Sequence, residues 1–87
     1  MYKIVWDSNV YKDLKKIDKT IGNKIIQKVE TNLSKDPLLL GKKLIFTFSG
    51  LLSYRIEDYR VLYEVINNTL VVHVVKISHR KNVYIKK

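Results

Sequence analysis

Cysteine is missing from all 87 residues, which excludes a disulfide framework and any thiolate metal site. Histidine occurs only twice, as His73 and His79, too few for a structural zinc centre, so neither metal nor cofactor is expected. A single proline and three glycines leave no linker-like or low-complexity stretch. Long apolar runs are also missing. The opening "MYKIVWDSNVYK" is too polar for a signal peptide and no segment approaches a membrane span, so a cytoplasmic protein without a membrane partner is expected. Acidic residues are scarce as well: eight Asp+Glu stand against seventeen Lys+Arg, a net charge of +9. That surplus predicts a polyanionic partner, nucleic acid first and an acidic protein second.

What is present suits one small domain spanning 1–87, with 46% hydrophobic residues to supply a core. "YKIVW" alternates and is rich in β-formers, so residues 2–6 read as a strand in which Trp6 is a core residue. Asp7, Ser8 and Asn9 offer capping oxygens, and Val10, Leu14 and Ile17 then recur at helical spacing. Thr20 or Asn23 would cap a second helix with Ile25, Ile26, Val29 and Leu33 as its stripe, ending before Pro37. "DPLLLGKK" reads as the longest irregular segment. From Lys43 the period becomes two: "KLIFTF", "LLSYRI", "YRVLYEVI", "LVVHVVKI" and a tail "RKNVYIKK". Strand, two helices, then a twisted antiparallel meander define an α+β domain with the helices on one sheet face.

In "LLSYRIEDYRVLYEV" an even turn, either two residues at Glu57-Asp58 or a four-residue loop of the same register, places Arg55 opposite Arg60, Ser53 opposite Leu62 and Leu51 opposite Glu64. The other face then collects Leu52, Tyr54, Ile56, Tyr59, Val61, Tyr63 and Val65, as a core face should. An odd loop would drive arginine into that core. Two guanidinium groups roughly 5 Å apart repel by about 3 kcal/mol at an effective dielectric of 20, so either they splay apart and pair with nearby acids, or they grip an anion through bidentate hydrogen bonds. A two-residue turn at Asn67-Asn68 would set Val75 opposite Arg60 and His73 opposite Leu62, and a three-residue turn would bring Lys76 toward Arg60. On this pattern the open face carries Arg55, Arg60, His79, Arg80 and Tyr84, with His73 an ordinary sheet-face residue. Lys12, Lys15, Lys16 and Lys19 read as the solvated face of the first helix.

The stretches "YRIEDYRVLYEV", Ser49-Gly50-Leu51 and "VVKISHRKNVY" resemble the RelE/ParE superfamily of toxins from toxin–antitoxin systems. Strand–helix–helix–meander is also that family's order, so the resemblance covers nearly the whole chain. On the RelE side it implies metal-independent cleavage of messenger RNA in the ribosomal A site, with the 2′-hydroxyl as nucleophile. Carried over by position, Arg60 grips the scissile phosphate and Arg80 stabilises the transition state with it. Tyr84 stacks on a base or assists proton transfer, and Arg55 takes the place of a basic residue on the preceding strand. Several such enzymes have a lysine where Ser53 stands, and the glutamate of others has no counterpart in "PLLLGKKL". The proton-transfer role, as base or acid, then falls to His79, or, more remotely, to Lys43.

The same resemblance implies two kinds of partner. One is messenger RNA on the ribosome together with ribosomal RNA, which the lysines of the first helix would touch without regard to sequence. The other is a cognate acidic antitoxin that covers the basic face. The alternatives are a ParE-type toxin that binds DNA gyrase and cleaves nothing, and a basic RNA-binding module without catalysis.

Overall fold

The computed structural model describes residues 1–43 and 50–79. Strand β1 (Lys3–Trp6) leads through Asp7 into helix α1 (Ser8–Lys15). Helix α2 (Lys19–Lys28) runs into a widened π turn over Val29–Leu33. One helical turn, α3 (Pro37–Leu40), precedes β2 (Lys42–Lys43), and then come β3 (Leu52–Ile56), β4 (Tyr59–Ile66) and β5 (Val71–His79). The five-stranded sheet has the order β1-β5-β4-β3-β2. Strands β2 to β5 form the antiparallel meander, and β1 joins parallel to β5. The α+β order expected from the sequence is the one observed.

Both helices start on an aspartate. The Asp7 carboxylate accepts the Asn9 N–H at 3.0 Å and Asp18 accepts that of Thr20 at 3.1 Å. The second helix was expected to begin at Thr20 or Asn23; with Asp18 as its cap, both fall inside it. Along this helix Ile25, Val29 and Leu33 are fully buried. Residues four apart on an α-helix drift about 40° round its axis, and the wider i→i+5 turn reverses that drift, returning Leu33 to the buried stripe. "DPLLLGKK" is less irregular than its composition suggests. Pro37 occupies the first helical position of α3, where a missing N–H costs nothing.

The core lies between the helices and one sheet face: Val10, Ile17, Ile25, Val29 and Leu33 meet Leu52, Ile56, Val61, Tyr63, Val72, Val74 and Ile77. Tyr54, Tyr59 and Trp6 pack against its margin. Tyr63, wholly buried, donates its hydroxyl to the Pro37 carbonyl at 2.6 Å and so ties β4 to α3.

The first hairpin has the expected register. Ile56 pairs with Tyr59 around Glu57-Asp58, and Arg55 with Arg60. Glu57 adopts the left-handed conformation, φ 57°, that a two-residue hairpin turn requires at its first position. The second hairpin differs from both expected registers. Its connection is a 3-10 turn, Asn67–Thr69, closed by Leu70 in the left-handed region at φ 53°, and Ile66 pairs with Val71. Farther on, Tyr63 pairs with Val74 but Leu62 with Lys76, leaving Val75 as a bulge. The physical cause lies in "VVHVVKI". After Val72 and Val74, unbroken alternation would bury Lys76; one extra residue reverses the parity, so Ile77 enters the core and Lys76 turns outward.

Since β1 pairs only with Val71–Val74, the second half of β5 has an open edge among the described residues. Helix α1 closes part of it: the Ile77 N–H donates to Asp13 Oδ2 at 3.0 Å, and Lys76 Nζ lies 3.6 Å from Asp13 Oδ1. Asp13→Ala should therefore destabilise the fold by about 1–2 kcal/mol, the size of a lost charge-assisted hydrogen bond to a half-buried donor. Asp13→Asn, which retains an acceptor, should recover most of it. Urea unfolding of the two variants checks this.

Candidate nucleic-acid interface

On the sheet face away from the helices, the register lays charges out in rows. Arg55, Arg60 and Ser78 are neighbours across β3, β4 and β5. The next row, about 7 Å along the strands, runs Lys42, Ser53, Leu62, Lys76 across β2 to β5. Four cations from four strands thus share one patch. A third row holds Glu64 and His73. There His73 Nδ1 is 2.9 Å from Glu64 Oε2 and Nε2 is 3.4 Å from Asp7 Oδ1, tying the end of β1 to the sheet.

The two arginines are not equivalent. Arg55 is exposed, and its Nε–H donates to the Glu57 carbonyl at 3.1 Å, which curls the guanidinium toward the turn and eases its repulsion with Arg60. Glu57 is in turn paired with Lys24 of α2 at 3.0 Å, which leaves its carboxylate turned to the helix side. Arg60 is half-buried, so its charge sits in a medium of lower dielectric, where attraction to an anion is stronger than in water. Ser53 is buried between Lys42 and Leu62, and its hydroxyl has no hydrogen-bond partner among the described residues. Such an arrangement is suited to holding a phosphate: a half-buried fork, a second fork beside it and two ammonium groups around them.

Other expectations come out differently. His79 pairs with Tyr59, a core-face residue, and its ring meets the Tyr59 ring edge-on at 5.4 Å and 79°. It therefore lies on the helix side of the sheet, not on the open face beside the arginines. The bulge sets this parity, since a four-residue connection leaves the face of each residue as a two-residue one would. Lys43 pairs with Leu52 and faces the helix side, while Lys42, which the sequence did not single out, shares the arginine face. Arg80, Tyr84 and most of the "KLIFTF" strand lie outside the described residues.

The sequence model of the family described as ParE toxin of type II toxin–antitoxin system, parDE, matches residues 4–84. The chain belongs to the RelE/ParE superfamily of type II toxins. It is similar to Toxin RelG of Mycobacterium tuberculosis, 28% identical over 83 residues that make up 95% of each chain. Among solved structures, the toxin–antitoxin complex RelBE2 from the same organism matches with a TM-score of 0.83 at 28% identity, covering 91% of this chain and 98% of the other. The archaeal RelE–RelB complex from Pyrococcus horikoshii OT3 matches at 0.75 with 24% identity, covering 93% and 97%. The intact E. coli RelBE complex matches at 0.72 with 21%, covering 91% and 96%. These last two likenesses concern the fold alone. Among the described residues of this toxin, no helix is long and apolar enough to cross a membrane.

Proposed function

We propose that this toxin is a metal-independent endoribonuclease that cuts messenger RNA in the ribosomal A site. The carrying observation is the cationic patch in which Arg55 stands opposite Arg60 with Lys42 and Lys76 in the adjoining row. In the reaction the 2′-hydroxyl loses its proton and attacks the adjacent phosphorus, and the bond to the 5′-oxygen breaks. The leaving oxygen takes up a proton, giving a 2′,3′-cyclic phosphate and a 5′-hydroxyl. Arg60 and Arg55 hold the non-bridging oxygens, and their charge counts most as the phosphorane gathers negative charge. Arg80 and Tyr84 are assigned, as the family resemblance implies, to transition-state stabilisation and to base stacking or proton transfer. His79, proposed from sequence for proton transfer, faces Tyr59 instead, so that role is not assigned to it here.

The similar solved structure from Mycobacterium tuberculosis is a toxin–antitoxin complex, RelBE2. For this chain we likewise propose an acidic antitoxin that neutralises the cationic face, and a cytoplasmic site of action.

The test is to map 5′ ends on a defined message carried by stalled ribosomes, with wild-type protein beside Arg60→Ala. Cuts at the A-site codon that depend on Arg60 support the proposal, and an intact message in both lanes refutes it. The match to a family named for ParE favours one second reading, inhibition of DNA gyrase without any cleavage. Loss of supercoiling by gyrase on adding the toxin, with the message intact, would establish that reading.

A further inference from the structure

A second feature adjoins the arginine patch at the open edge of β5. A groove of about 270 Å³ runs there between the end of α1 and the strand, walled by Lys16, Ile17, Tyr59, Lys76, Ser78 and His79, with Asp13 at its side. Ser78 is the cross-strand neighbour of Arg60, so the groove begins about one strand spacing, ~4.8 Å, from the patch. The bulge at Val75 sets Lys76 where the open face and the groove meet.

From this geometry we infer that the groove holds the nucleotide next to the scissile phosphate, so that the RNA strand bends over the β5 edge after leaving the arginines. The inference rests on the nuclease proposal above. Three properties of the groove select a nucleotide. Tyr59 and His79, edge to face, form an aromatic corner with Ile17 against which a base stacks. Lys16 and Lys76 bring two ammonium groups to the rim. Lys76 is 55% exposed and its contact with Asp13 spans 3.6 Å, a weak pair that a phosphate can replace. Asp13 itself remains committed to the Ile77 N–H. The volume suits one base with its sugar and phosphate, and the strand edge excludes a helix.

The experiment follows amide signals of the full-length protein by NMR during titration with a nuclease-resistant 2′-O-methyl trinucleotide. Signals of Lys16, Tyr59 and Lys76–His79 should shift together with those of Arg55 and Arg60. In the Lys16→Gln/Lys76→Gln double variant the groove shifts should vanish and the affinity fall roughly tenfold. The slope of log affinity against log salt should shrink by about 0.7, the contribution of one single-strand phosphate contact. Replacement by arginine at both positions should restore the affinity. If the trinucleotide moves only the arginine signals, or if the double variant binds it as the wild type does, the inference is overturned while the nuclease proposal survives. If the double variant loses affinity only for a Glu/Asp-rich peptide, the groove serves a protein partner and the inference is again overturned. No shift anywhere on the wild-type protein overturns the inference, while the nuclease proposal still stands or falls on the ribosome experiment.

Discussion

Arg60→Ala is expected to slow cleavage of ribosome-bound message by about two to three orders of magnitude, the usual cost of removing one preorganised donor from a developing oxyanion. The size follows from position. Arg60 is half-buried on the central strand β4, between Arg55 on one side and Ser78 on the other, so its charge acts in a medium of lower dielectric than that of the exposed Arg55. Arg55 lies at the exposed side of the pair and already donates to the Glu57 carbonyl, so Arg55→Ala should cost only about tenfold. Arg60→Lys should recover little, because a single ammonium cannot reproduce two parallel hydrogen bonds. Single-turnover rates at saturating ribosome concentration separate chemistry from binding: the Arg60 loss belongs in the rate. Both side chains lie outside the helix-covered core, and thermal unfolding of the variants should stay close to wild type. Cleavage by Arg60→Ala within threefold of wild type would reduce the pair to a surface feature.

The hairpin that presents these arginines was legible because one face of it is buried. Tyr59, Val61 and Tyr63 alternate with Arg60 and Leu62, and only one parity keeps the guanidinium groups out of the core. The neighbouring strand was not legible by the same rule. In "VVHVVKI" the alternation fails at Val75, and that failure was itself the signal of a bulge, since an intact period would have buried Lys76. The bulge also accounts for His79: a four-residue connection keeps the parity of a two-residue one, and only the extra residue at Val75 turns His79 to the other face. Asp18, Thr20 and Asn23 all carry capping oxygens close together in sequence, so composition alone does not tell that Asp18 is the cap. For Lys42 and Lys43, only the register with Ser53 and Leu52 tells which of them joins the arginines. Fold order and core face are properties of many residues acting together, and they survive such local errors. The identity of a single charge beside the site depends on one residue of register and does not.

Gly41→Ala should be among the most damaging single substitutions in the chain, at about 3 kcal/mol. Its backbone, φ −87° and ψ 155°, is open to any residue, so the restriction is one of space. A methyl group there would overlap the Tyr63 hydroxyl, reach the ring carbon that bears it at 2.8 Å and touch Leu52 Cβ at 3.0 Å. The ring cannot retreat, because it is fully buried and its hydroxyl is bonded to the Pro37 carbonyl at 2.6 Å. Overpacking of this kind costs about 1–3 kcal/mol, and the displaced hydrogen bond adds about 1. For a domain of this size the sum is a large part of the total stability, on the order of 4–13 kcal/mol. Tyr63→Phe alone should cost about 1–2 kcal/mol, for the carbonyl left without its donor. The double variant should lose less than the two losses added, because removing the hydroxyl makes room for the methyl group; strict additivity in urea unfolding would show that the clash is not with Tyr63. Alkaline pH probes the same contact. Burial, and secondarily the neighbouring Tyr54, push the Tyr63 phenol up to about 12. Its unfolded value is near 10, so the unfolded chain releases the proton first. The stabilisation is therefore intact below pH 10 and lost as pH rises from there through 12, amounting to about 2–3 kcal/mol when complete. Tyr63→Phe should flatten that part of the profile while leaving the contribution of the remaining tyrosines in place.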